Sequence, residues 1–259
     1  YKFLGENQKA KSCCEKAIKI KPNYADAHNN LGVIYRDLGE RQKAKSCYEK
    51  AIIIKPNYAD AHNNLGTICS DLGERQKAKS CYEKAIAIFP NYADAHNNLG
   101  NTFKDLGENQ KAKNCYEKAI KINPNHSAAL NNLGTIYSYL GENQKAKSCC
   151  EKAIKIKPNY ADAHNNLGAI YLNLGENQKA KSCYEKVIAI IPNYADAHNN
   201  LGTILQDLGE RQKAKSCYEK TIQINPNHAV AYNNLGTIFK ELGEHQKAKS
   251  YFEKALKIK

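Results

Sequence analysis

The sequence has no tryptophan and no methionine, and only five phenylalanines in 259 residues. With no methionine at its start, and with its first residues falling inside a pattern that recurs later, the chain reads as an excised part of something longer. It lacks any apolar run approaching the roughly 20 residues that a bilayer-spanning helix needs. The opening stretch YKFLGENQKAK has no apolar segment of the kind a secretory leader carries. Nothing in the composition resembles a long linker or a disordered tail. Seven prolines and 15 glycines are spaced at intervals instead of being clustered in loops.

What is present in excess is positive charge. The formal net charge is +13, a value that by itself points toward nucleic acid or an acidic surface. The excess is distributed, however. Residues 25–58 hold six Lys or Arg against four Asp or Glu, so a small surplus copied many times gives the total without a dedicated basic patch. The ten cysteines are copied in the same way. Cys13, Cys47, Cys81, Cys115, Cys149, Cys183 and Cys217 share one phase, a full period apart, which places these copies beyond disulfide reach of one another. Free thiols in this number fit a reducing, cytoplasmic compartment. The adjacent pairs Cys13–Cys14 and Cys149–Cys150 lack metal-ligand spacing, and neither a metal nor another cofactor is expected.

The period is 34 residues. NYADAHNNLG starts at Asn23, Asn57, Asn91, Asn159 and Asn193, and variants of it start at Asn125 and Asn227. Self-similarity of this kind marks a stack of supersecondary units. With the phase set at Ala25, complete units cover 25–58, 59–92, 93–126, 127–160, 161–194 and 195–228. A near-complete unit covers 229–259 and a partial one covers 1–24, so that 1–259 reads as a single array.

Each unit contains two helical stripes. Ala27, Leu31, Ile34, Tyr35 and Leu38 recur at spacings of three and four, one face of a helix that Gly39 can end in the left-handed conformation. Ala44, Cys47, Tyr48, Ala51, Ile52 and Ile54 form the second stripe, which Pro56 stops. Such short connections make the two helices antiparallel neighbours. Asn23 followed three residues later by Asp26 suggests a capping box, with Asn23 as the N-cap. Gly32 and its copies lie inside the first helix at a cost of up to about 1 kcal/mol each against alanine, which implies close packing on the partner helix with Ala44 facing the glycine. One pair buries too little to fold alone, so the units stack. The fold expected is an all-α, right-handed superhelical solenoid of antiparallel helix pairs.

On Leu31-Gly32, Tyr35, Ala44, Tyr48, Ala51 and Pro56, repeated throughout, the chain resembles tetratricopeptide-repeat (TPR) proteins over essentially its whole length. His28 stands where that family often has tryptophan, and Cys14 and Cys150 replace the aromatic of Tyr48's phase. The NNLG and NYADAH wording further resembles the TPR arms of O-linked N-acetylglucosamine transferases and bacterial relatives. The resemblance implies that the first helices line a concave groove. Opposite their apolar side lie Asp26, Asn29, Asn30, Val33, Arg36 and Asp37. Two asparagine ladders result. One is Asn30, Asn64, Asn98, Asn132, Asn166, Asn200 and Asn234; beside it run Asn29, Asn63, Asn97, Asn131, Asn165, Asn199 and Asn233. An amide both donates and accepts, so such a ladder suits the backbone of an extended peptide. In the family, the asparagine before Leu-Gly makes that contact, which maps onto the Asn30 set. The alternative is that these asparagines bond to each other or to neighbouring helices.

Any sequence preference is expected where the face varies: Arg36, Lys104, Tyr139, Leu172, Gln206 and Lys240. Family grooves that hold an acidic C-terminus use basic residues in the first helices. Asp26, Asn29 and Asn30 occupy those phases here, so no carboxylate-clamp chaperone partner is expected. The lysines concentrate on the second helices, where solvation of an outer surface is the simpler reading and nucleic acid is not the expected partner. His28, His62, His96, His164 and His198 stand one unit apart, about 10 Å, too far to share a metal ion. No nucleophile elbow or phosphate loop appears, so no catalytic residue is assigned and the chain is not read as an enzyme. Asn125-His126-Ser127 matches a glycosylation acceptor, discounted on the cysteine content. The function expected is a protein-interaction scaffold that binds an extended peptide of unidentified source. The alternatives are a substrate-recruiting arm of a larger enzyme such as a glycosyltransferase, or a structural solenoid that associates end to end, in crystals above all, through the apolar stripe at Leu256 and Ile258.

Overall fold

The computed structural model describes residues 2–258, with side chains from residue 8 onward. Tyr1 and Lys259, which mark the two ends in the expected end-to-end contact, lie outside the described residues. Among those residues there are fifteen α-helices and no strand. A leading helix α1 (Lys2–Ile20) is followed by α2 (Ala25–Asp37), α3 (Arg41–Ile54), α4 (Ala59–Asp71), α5 (Arg75–Ile88), α6 (Ala93–Asp105) and α7 (Asn109–Ile122). Then come α8 (Ser127–Tyr139), α9 (Asn143–Ile156), α10 (Ala161–Asn173), α11 (Asn177–Ile190), α12 (Ala195–Asp207), α13 (Arg211–Ile224), α14 (Ala229–Glu241) and α15 (His245–Ile258). Even-numbered helices are the first members of their repeats and odd-numbered ones the second. Contacts divide the chain into two compact units, Tyr1–Asn132 and Leu133–Lys259, with the division falling inside α8.

Within each unit the architecture is the same all-α stack of antiparallel helix pairs. A first helix packs most extensively on the second helix of its own repeat, then on the second helix of the repeat before it, as α4 does on α5 and α3. The turn inside each pair depends on glycine: Gly39 has φ +77°, and its N–H donates to the carbonyl of Arg36 while that of Glu40 donates to Tyr35. In the first unit Ala44, Tyr48, Ala51, Ile68, Ala78, Ala85 and Tyr116 are fully enclosed. In the second the enclosed set includes Cys150, Ile204, Tyr184, Val187, Tyr218 and Leu235. These are the residues of the two sequence stripes, and the alanines among them are what lets the helices approach.

The structure alters two local expectations. The nearest neighbour of the glycine inside the first helix is an aromatic ring, not Ala44. A methyl group added to Gly32 would meet the Tyr48 ring at 2.6 Å, and the same holds for Gly66 against Tyr82 and Gly100 against Tyr116. The small residue leaves room for an aromatic ring laid across the helix. At Gly134, where Cys150 replaces the tyrosine, the nearest atoms are Cys150 Sγ at 2.8 Å and the Ala146 carbonyl oxygen, of the Ala44 phase, at 3.2 Å.

Nor is Asn23 the N-cap. The cap residue is Tyr24, and no side chain closes that end; the same is true of Tyr58, Tyr92, Tyr160 and Tyr194. The acid that was to complete the box works between repeats instead. Tyr92 Oη donates to Asp60 Oδ1 at 2.8 Å, and Tyr194 Oη donates to Asp162 Oδ1 at 3.3 Å. Where histidine holds the cap position, one ring does both jobs. His126 Nδ1 accepts from Ala129 N at 3.1 Å, which leaves Nε2 to donate to Asp94 Oδ1 at 3.0 Å. His228 repeats the arrangement with Ala231 and Asp196. These two caps occur at the repeats whose own acid is replaced, by Ala128 and Val230.

Candidate functional site

The asparagine ladders are built from the first helices, and they differ in depth. Asn29, Asn63, Asn97, Asn131 and Asn199 are buried, whereas Asn165 is half-buried and Asn233 exposed. Asn64, Asn98, Asn132, Asn166, Asn200 and Asn234 are half-buried, and Asn30 is exposed. The Asn29 set therefore does not lie beside the Asn30 set on an open face; most of it is enclosed between successive first helices.

The reason is a hydrogen bond that crosses from one repeat to the next. Asn64 Nδ2 donates to Asn29 Oδ1 at 3.1 Å, Asn98 Nδ2 to Asn63 Oδ1 at 3.1 Å, and Asn132 Nδ2 to Asn97 Oδ1 at 3.1 Å. In the second unit Asn234 Nδ2 donates to Asn199 Oδ1 at 3.3 Å, and Asn166 Nδ2 donates to Thr135 Oγ1 at 3.2 Å. The asparagines do bond to each other, as one of the two sequence readings had it. Each rung uses the buried carbonyl of one residue and the amide nitrogen of the other. At Asn64, Asn98, Asn132 and Asn234 the rung does not use the carbonyl oxygen, which at Asn98 takes a bond from its neighbour Asn97 at 3.3 Å.

A third column adjoins the rungs and was not foreseen in the sequence. It runs through Val33, Thr67, Asn101, Thr135, Ala169, Thr203 and Thr237, four residues after the buried asparagine and so on the same helix face. The hydroxyls of the buried tyrosines reach it from the second helices. Tyr82 Oη donates to Thr67 Oγ1 at 3.4 Å, Tyr116 Oη to Asn101 Oδ1 at 2.8 Å, and Tyr218 Oη to Thr203 Oγ1 at 3.5 Å and Gln206 Oε1 at 2.9 Å. Where the column holds Val33 or Ala169, the Tyr48 and Tyr184 hydroxyls are buried with no hydrogen-bond partner. Burial pushes both hydroxyls up to about 12, against a smaller opposing pull from Arg36 at Tyr48 and from Asn200 at Tyr184.

The variable positions separate. Tyr139 is 76% exposed and Lys104 and Lys240 are exposed. Arg36 is held by its neighbour, Nη2 to Asp37 Oδ1 at 3.0 Å. Gln206 is occupied by Tyr218 Oη, and Leu172 packs partly against the core. Of the six, Tyr139, Lys104 and Lys240 are the exposed ones.

The remaining motifs are accounted for structurally. His62 Nε2 donates to the carbonyl of Pro56 at 2.9 Å, and His28, His96, His164 and His198 do the same to Pro22, Pro90, Pro158 and Pro192. Each ring thus fastens the loop that enters its own helix. Outer lysines are engaged with carboxylates and rings: Lys45 Nζ lies 2.6 Å from Glu74 Oε1, and Lys79 and Lys111 flank the Phe103 ring, each 5.4 Å from its centroid. All ten cysteines are free. One pair that the phase argument did not include, Cys69 and Cys81, interacts so that the Cys69 thiol is raised and that of Cys81 lowered. Among the described residues no group of three or more His, Cys, Asp or Glu could hold a metal ion, and no helix is long and apolar enough to cross a membrane.

Comparison with known proteins places this geometry. The tetratricopeptide-repeat pattern matches residues 26–91, 125–193, 159–227 and 193–259, a second pattern of the same description matches 93–126, and a TPR-repeat pattern matches 4–39. No curated protein matches the chain. Among solved structures, it is similar to a chain of the APC/C hetero-tetramer Cut9-Hcn1, with a TM-score of 0.83 over 91% of this chain at 19% identity, which speaks for the fold alone. The chain spans about half, 46%, of the length of that relative. MamA is similar at 32% identity and a TM-score of 0.55, covering 62% of this chain and 94% of its own. YrrB, described as a TPR protein with an unusual peptide-binding site, is similar at 27% identity and a TM-score of 0.56, over 71% of this chain and 95% of its own. The patterns, taken with the helix pairs and the glycine–tyrosine contacts between them, establish the chain as a helix-pair scaffold that belongs to the tetratricopeptide-repeat family.

Proposed function

We propose that the repeats bind an extended polypeptide segment along the asparagine-bearing face of the first helices. The observation that carries this reading is the rung. An Asn30-phase side chain whose amide nitrogen is tied to the preceding repeat has a fixed orientation, and its carbonyl oxygen, with two lone pairs, can accept a backbone N–H without regard to sequence. Fixing the side chain before the ligand arrives removes part of the ordering cost of binding. The peptide-binding site named for YrrB supports the same reading. Selectivity is assigned to Lys104, Tyr139 and Lys240, which stand outward on the variable phases. An acidic C-terminal tail is not the ligand proposed, because the first helices carry no basic clamp.

The test replaces Asn98, Asn132 and Asn166 together with alanine. Peptides selected on the parent chain are then titrated into the variant by calorimetry, and the fold is checked by circular dichroism. Removal of Asn98 and Asn132 leaves Asn63 and Asn97 carbonyls unpaired, so a stability loss of about 1–3 kcal/mol per site accompanies the change. An unchanged affinity on an intact fold would sink the proposal.

A recruiting arm for a glycosyltransferase would use the same face; that reading changes what is presented and not how it is held. We also assign the chain to a reducing compartment, supported by its ten free cysteines. End-to-end association is proposed through the outer face of α14 and α15, supported by the 56% exposure of Val230 and the 72% exposure of Leu256.

A further inference from the structure

One step of the ladder differs in kind from the others. In the first unit four side chains close on one another around Asn101. Asn132 Nδ2 donates to Asn97 Oδ1 at 3.1 Å and to Asn101 Oδ1 at 2.9 Å, while Tyr116 Oη donates to Asn101 Oδ1 at 2.8 Å. Two periods later the corresponding positions hold Asn165, Asn200, Ala169 and Tyr184. The central carboxamide is missing. Asn165 Oδ1 and Tyr184 Oη are both buried without a partner, and Asn200 has no bond to Asn165, accepting instead from Asn199 at 3.4 Å. Tyr184 is wholly enclosed, whereas Ala169 is half-buried and so can be covered from outside.

The substitution at Val33 shows that loss of the polar group is not sufficient. There the branched side chain occupies the space, the rung from Asn64 to Asn29 stays closed at 3.1 Å, and only Tyr48 Oη is left over. At Ala169 only a methyl group stands at that position, and a donor and an acceptor are left unpartnered. Leaving such groups unpaired is unfavourable.

The chemistry of the missing group identifies what fits. Asn101 offers a carbonyl oxygen that takes two bonds, one from a tyrosine hydroxyl and one from an asparagine amide. A ligand over Ala169 must present a carbonyl to Tyr184 and Asn200, and an N–H to Asn165 Oδ1. A carboxylate meets the first demand and is repelled by the second; an ammonium meets only the second. An amide meets both. We infer that the step between α10 and α12 is a docking point for one peptide unit of an extended polypeptide, seated over Ala169 where the Asn101 carboxamide sits in the first unit. This rests on the peptide-binding reading and narrows it to one place.

The experiment uses the full chain and a blocked tetra-alanine peptide, whose only polar groups are its amides. The peptide is titrated while the side-chain amide signals of Asn165 and Asn200 are followed by NMR, in the parent chain, in Ala169→Asn and in Asn101→Ala. Asparagine at 169 supplies the missing group internally, and its presence at 101 shows that the fold accommodates it; thermal unfolding of each variant checks this. Expected are shifts of Asn165 and Asn200 on titration, an affinity about tenfold weaker in Ala169→Asn, the equivalent of one lost net hydrogen bond, and new shifts at Asn97 and Asn132 in Asn101→Ala. Equal affinity of the parent and Ala169→Asn overturns the docking point and leaves the wider reading standing, as does peptide binding that shifts only other rungs. No binding to any of the three chains overturns both, and the gap is then a site for water.

Discussion

The glycine of the first helix gives the most direct test of how the pairs are held. In Gly100→Ala the new methyl would stand 2.6 Å from Cε1 and 2.8 Å from Cδ1 of Tyr116. Ordinary carbon contacts lie at about 3.5–4.0 Å, so the ring must move by nearly an ångström. It has little freedom to do so: Tyr116 is fully enclosed and its hydroxyl is bonded to Asn101 at 2.8 Å. Overpacking of a tight core costs about 1–3 kcal/mol, and the anchored ring argues for the upper part of that range. Alanine returns about 1 kcal/mol of helix propensity. The net expectation is a loss of about 1–2 kcal/mol, read as a lower midpoint in urea. Gly107 is the control. It has φ +77° and nothing within 4 Å of its Cβ position, so Gly107→Ala is penalised by backbone conformation alone. Asparagine, which tolerates that conformation, is expected to recover part of the loss at 107 and to worsen it at 100. If Gly100→Ala raises the midpoint, as helix propensity alone would have it, the packing argument is wrong.

The tyrosine hydroxyls give a paired test. Tyr116→Phe removes a 2.8 Å bond and is expected to cost about 1 kcal/mol, whereas Tyr48→Phe deletes a buried hydroxyl without a partner and is expected to be neutral or stabilising by a similar amount. Phe252 already fills this phase against Gly236, so the ring alone packs acceptably; equal losses at 48 and 116 in denaturant melts would contradict the assignment of the column. The cap histidine can be read through its acid. The hydrogen bond from His126 holds the Asp94 carboxyl below its usual value, so the bond's contribution is complete above the unfolded aspartate pKa of about 3.9 and is lost as pH falls through the lower folded one. His126→Gln is expected to move the Asp94 titration, followed by carboxyl NMR, up toward the ordinary value; an unmoved titration refutes the link between repeats.

Much of the fold was legible because one signal repeats. Leu31, Tyr48, Ala44 and Pro56 each carry a modest local preference, and their return every 34 residues turns those preferences into an assignment of helix pairs. Contacts between repeats were less legible, because they join positions a whole unit apart that no single helical stripe brings together. Asn29 was placed on the face opposite the apolar stripe of its own helix, and the helical geometry was right as far as one helix goes; the next repeat covers it. Asp26 looked like half of a capping box for the same reason, although its phase faces the following repeat's cap residue. The spacing of Asn23 and Asp26 cannot distinguish a cap from the residue before one, and the error of one position hid the role of Tyr24. The open step at Ala169 was hidden more deeply. Alanine is unremarked in a helix, and its significance comes only from Asn165, Tyr184 and Asn200 gathering around it.

The rungs also have a direction. In four pairs where asparagine bonds to asparagine across repeats, the nitrogen belongs to the later residue and the oxygen to the earlier one: 64 to 29, 98 to 63, 132 to 97 and 234 to 199. Within the first compact unit the three rungs therefore run in one sense along the chain instead of alternating, and the one in the second unit has the same sense within its own repeats. A ladder of this kind is an arrow, and a strand that pairs with successive rungs meets the same polarity at each of them. Its own run from amine to carboxyl end either agrees with that arrow or opposes it, so the face reads which way round a segment lies before it reads any side chain.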